Sequence, residues 1–179
     1  MSEKNKLIGK DRREAIINWL EKTNEPLTGS ELAKRSGVSR QVIVQDVSLL
    51  KAKDKPILST SQGYLLMKES NNPKKFRRVV AVQHEPNQTK AELDCIVDQG
   101  VTVRDVIVEH PVYGELKAII MVSDRHDVKQ FIKKITQKNA PYLLELTDGV
   151  HLHTLEAESE AKLEAAYHSL KDKGFIVND

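Results

Sequence analysis

Residues 28–51 read TGSELAKRSGVSRQVIVQDVSLLK, and this stretch decides the fold of the first part of the chain. Thr28 and Glu31 have the spacing of a capping box, which predicts the start of a short helix. Gly37 permits the left-handed turn that ends this helix, and Ser39 is placed to cap the next one. That next helix carries a predicted buried stripe, formed by Ile43, Val47 and Leu50. Two short helices joined by a glycine-containing turn predict a helix-turn-helix.

The flanking segments predict a winged variant of this motif. A helix is expected before it, with Asp11 as the N-cap and Pro26 just beyond its end. After it, residues 57–60 and 64–67 are strand-like and flank a turn at residues 61–63, as in a β-hairpin. A hairpin directly after the second helix of the motif is in the position of a wing. We therefore predict a winged helix-turn-helix DNA-binding domain over residues 1–68.

Side chains on the exposed face of the second motif helix suit DNA. Arginine and glutamine offer forked donors for base edges and phosphates, and valine can contact a thymine methyl group. Lys51 lies near the hairpin, within reach of a DNA backbone. The predicted DNA-binding residues are Ser39, Arg40, Gln41, Val44, Gln45, Ser48 and Lys51. The alternative is a winged helix that contacts only proteins, and the salt dependence of DNA affinity separates the two.

Charge and composition agree with two parts that have separate tasks. The 179 residues carry a net charge of +2, but residues 1–68 hold 13 Lys and Arg against 8 Asp and Glu, and the remainder holds 15 against 18. No apolar run approaches the roughly 18 residues of a membrane span, and the polar start does not resemble a secretory signal. Cys95 is the single cysteine, which excludes an intrachain disulfide. We expect a cytoplasmic protein with no membrane partner.

The second part of the chain predicts an α/β domain. Residues 69–76 form a polar segment with a proline and are expected to be a linker. Residues 77–179 then follow the order strand, helix, hairpin, helix, strand, helix, strand. This order predicts an α/β sandwich with a mostly antiparallel sheet and helices on one face. The whole chain is therefore expected to be of the α+β class.

Histidines of this domain lie at spacings that suit a metal. His151 and His153 are two residues apart in a predicted strand, so both imidazoles project from the same face and supply half of a metal site. His84 and Glu92, after the first strand and in the next helix, are an available partner pair. Such a donor set suits Zn, Ni, Co, Mn or Fe. The alternatives are an ordinary exposed strand edge for the histidine pair, and a ligand role for Cys95, although an apolar-flanked cysteine is typical of a core.

A catalytic role is the competing interpretation of a metal site. A metal ion with an open position can activate water, but the sequence contains no HExxH, GxSxG or P-loop pattern. Since a DNA-binding module is predicted on the same chain, we expect a regulator and not an enzyme. The alternative function is a metal-dependent enzyme with an autoregulatory DNA-binding domain.

Four segments carry a resemblance to a known family. They are TGSELAKRSGVSRQVIVQDVSLLKAK at 28–53, SQGY at 61–64, EHPVYGEL at 109–116 and TDGVHLHTLEA at 147–157. In these segments, and over about residues 8–178, the chain resembles the niacin-responsive (NiaR-type) repressors of NAD biosynthesis. These join a helix-turn-helix to a three-histidine (3H) domain. The resemblance implies a transcriptional repressor of NAD biosynthesis and niacin salvage genes that binds a palindromic operator as a homodimer, with nicotinic acid as co-repressor.

The resemblance also implies a site in the second domain. It assigns a divalent transition metal, for which we expect nickel or zinc, to His84, Glu92, His151 and His153. Nicotinic acid carries a carboxylate and a pyridine nitrogen, and either can bind a metal that has an open position. His110 and Tyr113, in the EHPVYG turn, are expected to line the pocket for this ligand. A ligand other than nicotinic acid on the same architecture is the remaining alternative.

Overall fold

The structure, a computed structural model, describes residues 8–67 and 75–177, and these fall into two compact units that divide after Ser70. Of the predicted linker, residues 69–74 lie outside the described part of the chain. None of the helices in the described ranges combines the length and the apolar character that a membrane span needs.

The first unit is the predicted helix-turn-helix followed by a hairpin. Its helices are α1 (Gly9–Glu21), α2 (Gly29–Ser36) and α3 (Arg40–Lys51), and its antiparallel strands are β1 (Ile57–Thr60) and β2 (Gly63–Leu66). The three helices and β1 enclose a common apolar core, which includes Ile16, Leu20, Leu32, Ile43, Val47 and Leu50. The amphipathic stripes that define this core are those expected from the sequence.

The helix ends follow the predicted capping chemistry at α2 and α3. Thr28 and Glu31 form the capping box, and Gly37 ends α2 with a φ of 66°. The Ser39 side chain accepts from Val42 N at the start of α3. The prediction that Asp11 caps α1 was wrong, because α1 begins at Gly9. Asp11 instead lies in the first turn, where a carboxylate still favours the positive end of the helix dipole.

Two long-range contacts hold the parts of the first unit together. Leu27 exchanges backbone hydrogen bonds of 3.0 and 2.8 Å with Tyr64, which ties the hairpin to the segment before α2. Asp46 on α3 is 2% exposed and accepts from Arg12 and Arg13 of α1. A buried carboxylate is tolerated only when it is paired in this way. The two contacts therefore fix α3 relative to α1 and the hairpin relative to α2.

The second unit is an antiparallel sheet with helices on one face, which confirms the predicted fold class. Its strands are β3 (Phe76–Gln83), β4 (Thr102–His110), β5 (Gly114–Val122) and β6 (Val150–Ala157), in the order β3-β6-β4-β5. Its helices are α4 (Thr89–Val97), α5 (Arg125–Lys138) and α6 (Glu160–Asp172), and α4 contacts both others. The core lies between the sheet and these helices, and includes Val80, Val82, Leu93, Ile96, Leu155 and Leu170.

The second unit departs from the predicted elements in two places. Residues 175–177 form only a single bridge, from Ile176 to Val82, where a short strand was expected. The segment between α5 and β6 contains a 3-10 helix, Leu143–Thr147, that periodicity did not indicate. Elements this short carry too few residues to show a period. The 3-10 helix matters because its first residues help to line the site described next.

Candidate metal centre and DNA-binding surface

Three histidines and one glutamate meet beneath the sheet of the second unit. His151 and His153 project from β6, and the β3–β6 register places Val82 opposite His151 and Val80 opposite His153. His84 follows the end of β3, and Glu92 lies on α4. Because strand residues two apart share a face, both β6 imidazoles point toward the helices. All four side chains are buried.

Glu92 is the centre of this cluster. Its Oε2 lies 2.9 Å from His84 Nε2, and its Oε1 lies 3.1 Å from His153 Nε2 and 3.5 Å from His151 Nε2. Ligand atoms of His84, Glu92 and His151 all lie within 4.8 Å of one another. The structure therefore brings together the four residues that the sequence and the resemblance indicated as a metal site.

Backbone carbonyls fix the orientation of all three imidazoles. The Nδ1···O distances are 2.8 Å from His84 to Glu85, 2.9 Å from His151 to Gly149, and 2.6 Å from His153 to Asp105. A carbonyl oxygen can only accept, so each Nδ1 carries a proton and donates it. In a neutral ring the Nε2 atom then keeps its lone pair. Metal-binding histidines are held in the same way, with one nitrogen donating to the protein and the other directed at the ion.

The cluster contains more hydrogen-bond acceptors than donors. A cation fits such a site because it can bind the acceptor atoms that have no donor. Glu92 Oε1 and His153 Nε2 are buried and make no contact of hydrogen-bond geometry with any described residue. Three neutral imidazoles with protonated Nδ1 atoms offer three lone pairs to an ionised carboxylate that also only accepts. Either protons on the rings or a cation must compensate. Three imidazole nitrogens and one carboxylate form a donor set that a divalent transition metal prefers, so the residues fit such an ion.

Burial and charge act against each other within the cluster. Burial by itself would raise the pKa of Glu92, but the positive charge on His153 and contacts with the other imidazoles hold that pKa well below its usual value. Burial likewise lowers the pKa of His84 and of His153, and the Glu92 carboxylate more than reverses this, so both pKa values are raised. The carboxylate therefore creates a local preference for positive charge, which protons or a metal ion can satisfy.

Gly149 allows the close approach of two segments at this cluster. It has a φ of 87°, and a Cβ atom there would lie 2.5 Å from the carbonyl oxygen of His84. Its own carbonyl oxygen accepts from His151 Nδ1. Only glycine adopts this backbone without strain. The turn before β6 thus positions His84 by close backbone contact and His151 by a hydrogen bond.

An apolar cavity of about 130 Å³ adjoins the cluster. Glu92, His151 and His153 form one part of its wall. The remainder is mainly hydrophobic and includes Leu93, Val106, Ile120, Phe131, Ile135 and Leu144. Small-molecule sites commonly combine an apolar lining with a few converging polar groups. The arrangement can therefore hold a small, largely apolar ligand against the candidate metal ligands.

The first unit presents the predicted DNA-binding residues on one face of α3. Arg40, Gln41, Gln45 and Ser48 are exposed, and Val44 is 43% exposed between them. Ser39 lies at the start of the helix as its cap. Lys51 Nζ lies 2.7 Å from Ser59 Oγ, so this lysine connects the end of α3 to the hairpin. These residues, polar except for Val44, lie on or beside the exposed side of α3.

Known proteins and domain models resemble the chain over both units. A model of the HTH domain matches residues 12–65, and a model of the 3H domain matches residues 77–179. The chain is 52% identical over 180 residues to the transcription repressor NadR of Bacillus subtilis, covering all of both chains. It is 41% identical over 174 residues to the probable transcription repressor NiaR of Thermotoga maritima, covering 97% of this chain and 98% of that one.

This chain belongs to the NiaR-type family of transcription repressors. The relatives are repressors, so the expectation of a regulator and not an enzyme is confirmed. The domains that the sequence indicated, a helix-turn-helix and a 3H domain, are those that the family models match.

His110 and Tyr113 do not line the cavity of this repressor, which corrects the expectation for them. They lie at the tip of the β4–β5 hairpin, where His110 Nδ1 accepts from the backbone of Val112 and Tyr113. Tyr113 is 74% exposed. At about 3.3 Å per strand residue, His110 lies far along β4 from Asp105, whose carbonyl oxygen accepts from His153 Nδ1.

Cys95, the alternative ligand considered from the sequence, is a buried core residue whose thiol donates to Glu92 O.

The structure adds two residues that sequence reasoning missed. Thr89 and Tyr142 line the cavity but were not singled out. Tyr142 precedes the 3-10 helix, which has no periodic signal. Thr89 is three residues before Glu92, and this helical spacing is the one signal in the sequence that places it beside the cluster.

Proposed function

We propose that this repressor acts on genes of NAD biosynthesis and niacin salvage, binding operator DNA as a homodimer with nicotinic acid as co-repressor and a divalent metal ion in the second unit. The observation that carries the proposal is the convergence of three imidazole Nε2 atoms and Glu92 at the wall of a small apolar cavity. A DNA-binding repressor works where the chromosome is, so we assign it to the cytoplasm.

DNA recognition in this proposal is the task of α3. Arg40, Gln41 and Gln45 present forked donors that can reach base edges in the major groove, and Val44 can contact a thymine methyl group. Ser39, Ser48 and Lys51 supply hydroxyl and ammonium donors for phosphates, which fix the register of the helix on the duplex. In a dimer, two such helices must lie roughly 34 Å apart to enter successive major grooves.

Metal and effector are held by the second unit. His84, Glu92, His151 and His153 would hold the ion, for which we favour nickel or zinc, and the backbone carbonyls orient the three rings. When bound, such an ion supplies a Lewis-acidic centre that accepts a carboxylate or a pyridine nitrogen as a further ligand. The apolar wall of the cavity removes the ring of nicotinic acid from water. A co-repressor acts only by binding the operator-competent form more tightly than the alternative.

The central experiment measures operator affinity with and without nicotinic acid, and with and without metal. We expect nicotinic acid to tighten operator binding by about 5- to 150-fold in the metal-loaded protein, the usual range of coupling between two sites. Chelation should remove this response and leave basal DNA binding in place. Operator affinity that does not change with nicotinic acid would contradict the co-repressor proposal.

Paired histidine variants test the metal site. His151→Ala combined with His153→Ala should remove stoichiometric metal, as measured by elemental analysis, and should abolish the nicotinic acid response. His126→Ala combined with His168→Ala is the matched control, because both of these histidines are exposed on helices of the same unit. If the His151→Ala, His153→Ala protein keeps stoichiometric metal while the control does too, the cluster is not the binding site. Size measurements in solution, with the metal-loaded protein, test the homodimer.

A further inference from the structure

One polar side chain in the wall of the apolar cavity has no partner. Thr89 is the first residue of α4, is 6% exposed and lines the cavity together with Glu92 and His153. Its Oγ1 is buried and makes no hydrogen bond to any described residue. Native proteins rarely leave a buried hydroxyl unpaired, and each such case calls for a physical explanation.

The usual backbone acceptor of this hydroxyl is already occupied. A threonine on a helix usually donates to the carbonyl oxygen four residues earlier. For Thr89 that atom is Glu85 O, which already accepts from His84 Nδ1 at 2.8 Å and from Gln88 N at 2.9 Å. A carbonyl oxygen has two lone pairs, so its capacity is used. The hydroxyl is therefore available to a group that enters the cavity.

The size and lining of the cavity restrict that group. An apolar protein cavity of about 150 Å³ accepts a benzene ring, and the volume here is about 130 Å³. The volume is therefore of the order that one six-membered ring fills. Apolar side chains such as Phe131 and Leu144 line this space and would contact the faces of such a ring.

Two of the polar positions in the cavity wall, Thr89 and Glu92, lie on the same helix. Thr89 and Glu92 are three residues apart on α4, so their Cβ atoms are about 5–6 Å apart on one side of the helix. A ring ligand in this space can place one polar atom at the metal cluster and another at Thr89. The first residue of α4 also lies at the positive end of the helix dipole, which favours a carboxylate there.

We propose that Thr89 is the specificity-determining residue of this cavity, donating its hydroxyl to the carboxylate of a monocyclic aromatic acid whose ring nitrogen faces the His–Glu cluster. This inference rests on the proposed function, because it takes nicotinic acid as the probe. It predicts that nicotinic acid binds more tightly than nicotinamide, which lacks the charge, and more tightly than benzoic acid, which lacks the ring nitrogen.

The test is calorimetric titration of nicotinic acid into the metal-loaded full chain. Thr89→Val keeps the shape of the side chain and removes the hydroxyl, and should weaken binding by about 10- to 100-fold, the equivalent of one hydrogen bond to a charged group. Thr89→Ser keeps the hydroxyl and should stay close to the original protein. Thr136→Val is the matched control, since Thr136 is exposed on α5 and donates to Ile132 O.

A second measurement separates ligand recognition from a structural role. Without ligand, Thr89→Val should melt at the same temperature as the original protein or higher, because an unpaired hydroxyl has been removed, and its metal content should be unchanged. A lower melting temperature would indicate that the hydroxyl supports the fold. Thr89→Val that binds nicotinic acid as tightly as the original protein would overturn the proposal.

The proposed function and this inference fail in different ways. Nicotinic acid that binds through Thr89 but leaves operator affinity unchanged contradicts the co-repressor role and leaves the cavity assignment intact. If nicotinamide binds as tightly as nicotinic acid, the claim that Thr89 recognises the charged carboxylate is contradicted, while the co-repressor role is not. If the original protein binds neither nicotinic acid nor benzoic acid, the assignment of Thr89 is overturned.

Discussion

Glu156 illustrates how a single buried carboxylate can join three strands. Its Oε2 accepts from Arg77 on β3 at 2.8 Å and from Arg104 on β4 at 2.7 Å, while Glu156 itself lies on β6. Lys75 Nζ lies 3.3 Å from its Oε1. Burial raises the pKa of this carboxyl, but the Arg77 hydrogen bond and the charges of Arg104 and Lys75 reverse the effect and lower it.

Glu156→Gln should therefore destabilise the second unit in a pH-dependent manner. A carboxyl whose pKa is lowered on folding contributes stability above its unfolded pKa and loses it as the pH falls through its folded pKa. We expect a loss of about 1–3 kcal/mol at pH 7, shrinking toward zero as the pH is lowered past the usual range of glutamate. Denaturant unfolding at several pH values measures this. Glu164→Gln, at an exposed ion pair with Arg78, should have little effect at any pH.

Gly149 offers a test of how precisely the metal ligands are placed. Gly149→Ala adds a Cβ atom 2.5 Å from His84 O, so the turn or His84 must move. We expect metal affinity to fall by about 10- to 100-fold, as when groups that orient metal ligands are altered. Gly174→Ala is the control, because Gly174 has a similar positive φ of 74° with nothing near its added Cβ. Metal affinity that falls no further in Gly149→Ala than in Gly174→Ala would contradict a role for this close approach in placing the ligands.

The cluster was predictable from the sequence only in part. His151 and His153 follow from the two-residue period of one strand, which is a local property. The meeting of His84 with them depends on the pairing of β3 with β6, a long-range contact that spacing along the chain does not encode. The resemblance to the NiaR-type family, and not the spacing, indicated that His84 joins the two histidines of β6. The availability of the Thr89 hydroxyl depends on the two hydrogen bonds that Glu85 O already accepts, and these form only in the folded chain.

Among the elements, α3 divides its residues between two tasks. Its inner face packs Ile43, Val47 and Leu50 into the core, and Asp46 anchors it to α1. Its outer face is free to meet DNA. The inner face of α3 was predictable, because apolar periodicity is strong over a helix of this length. The anchoring role of Asp46 was not predictable, since a carboxylate at a buried position interrupts the apolar pattern and its partners, Arg12 and Arg13, lie on another helix.

Two kinds of substitution on α3 should separate base recognition from phosphate contact. Gln41→Ala and Gln45→Ala should each weaken operator binding by about 1–3 kcal/mol while leaving binding to unrelated DNA almost unchanged. Lys51→Ala should weaken both by a similar factor and reduce the salt slope by about 1. Binding to operator and to random duplexes over a range of salt concentrations measures both effects. Lys129→Ala, exposed on α5, is the control. A uniform effect of the glutamine variants would rule out base recognition by this face.

At the scale of the whole molecule, the chain consists of two units with separate cores. Among the described residues, the one group of three or more candidate metal ligands that meet is the His–Glu cluster, which lies wholly within the second unit. A ligand stabilises the state that binds it by an amount set by its concentration relative to its dissociation constant. Metal should accordingly stabilise the second unit directly. Any effect on the first unit must pass through coupling between the units or between protomers.

Chelation of the metal should therefore destabilise the two units unequally. Trp19, the single tryptophan, packs against the core of the first unit, so its fluorescence reports the unfolding of that unit. Circular dichroism reports both. We expect chelation to lower the melting temperature seen by circular dichroism by several degrees, which corresponds to a loss of about 1–2 kcal/mol of unfolding free energy in a domain of roughly 100 residues. The transition seen by tryptophan fluorescence should stay almost unchanged. The His151→Ala, His153→Ala protein should behave as the chelated protein does and show no response to chelator. Equal shifts in both signals would mean that metal binding is strongly coupled to the helix-turn-helix without DNA, and the co-repressor would then act on a single cooperative molecule.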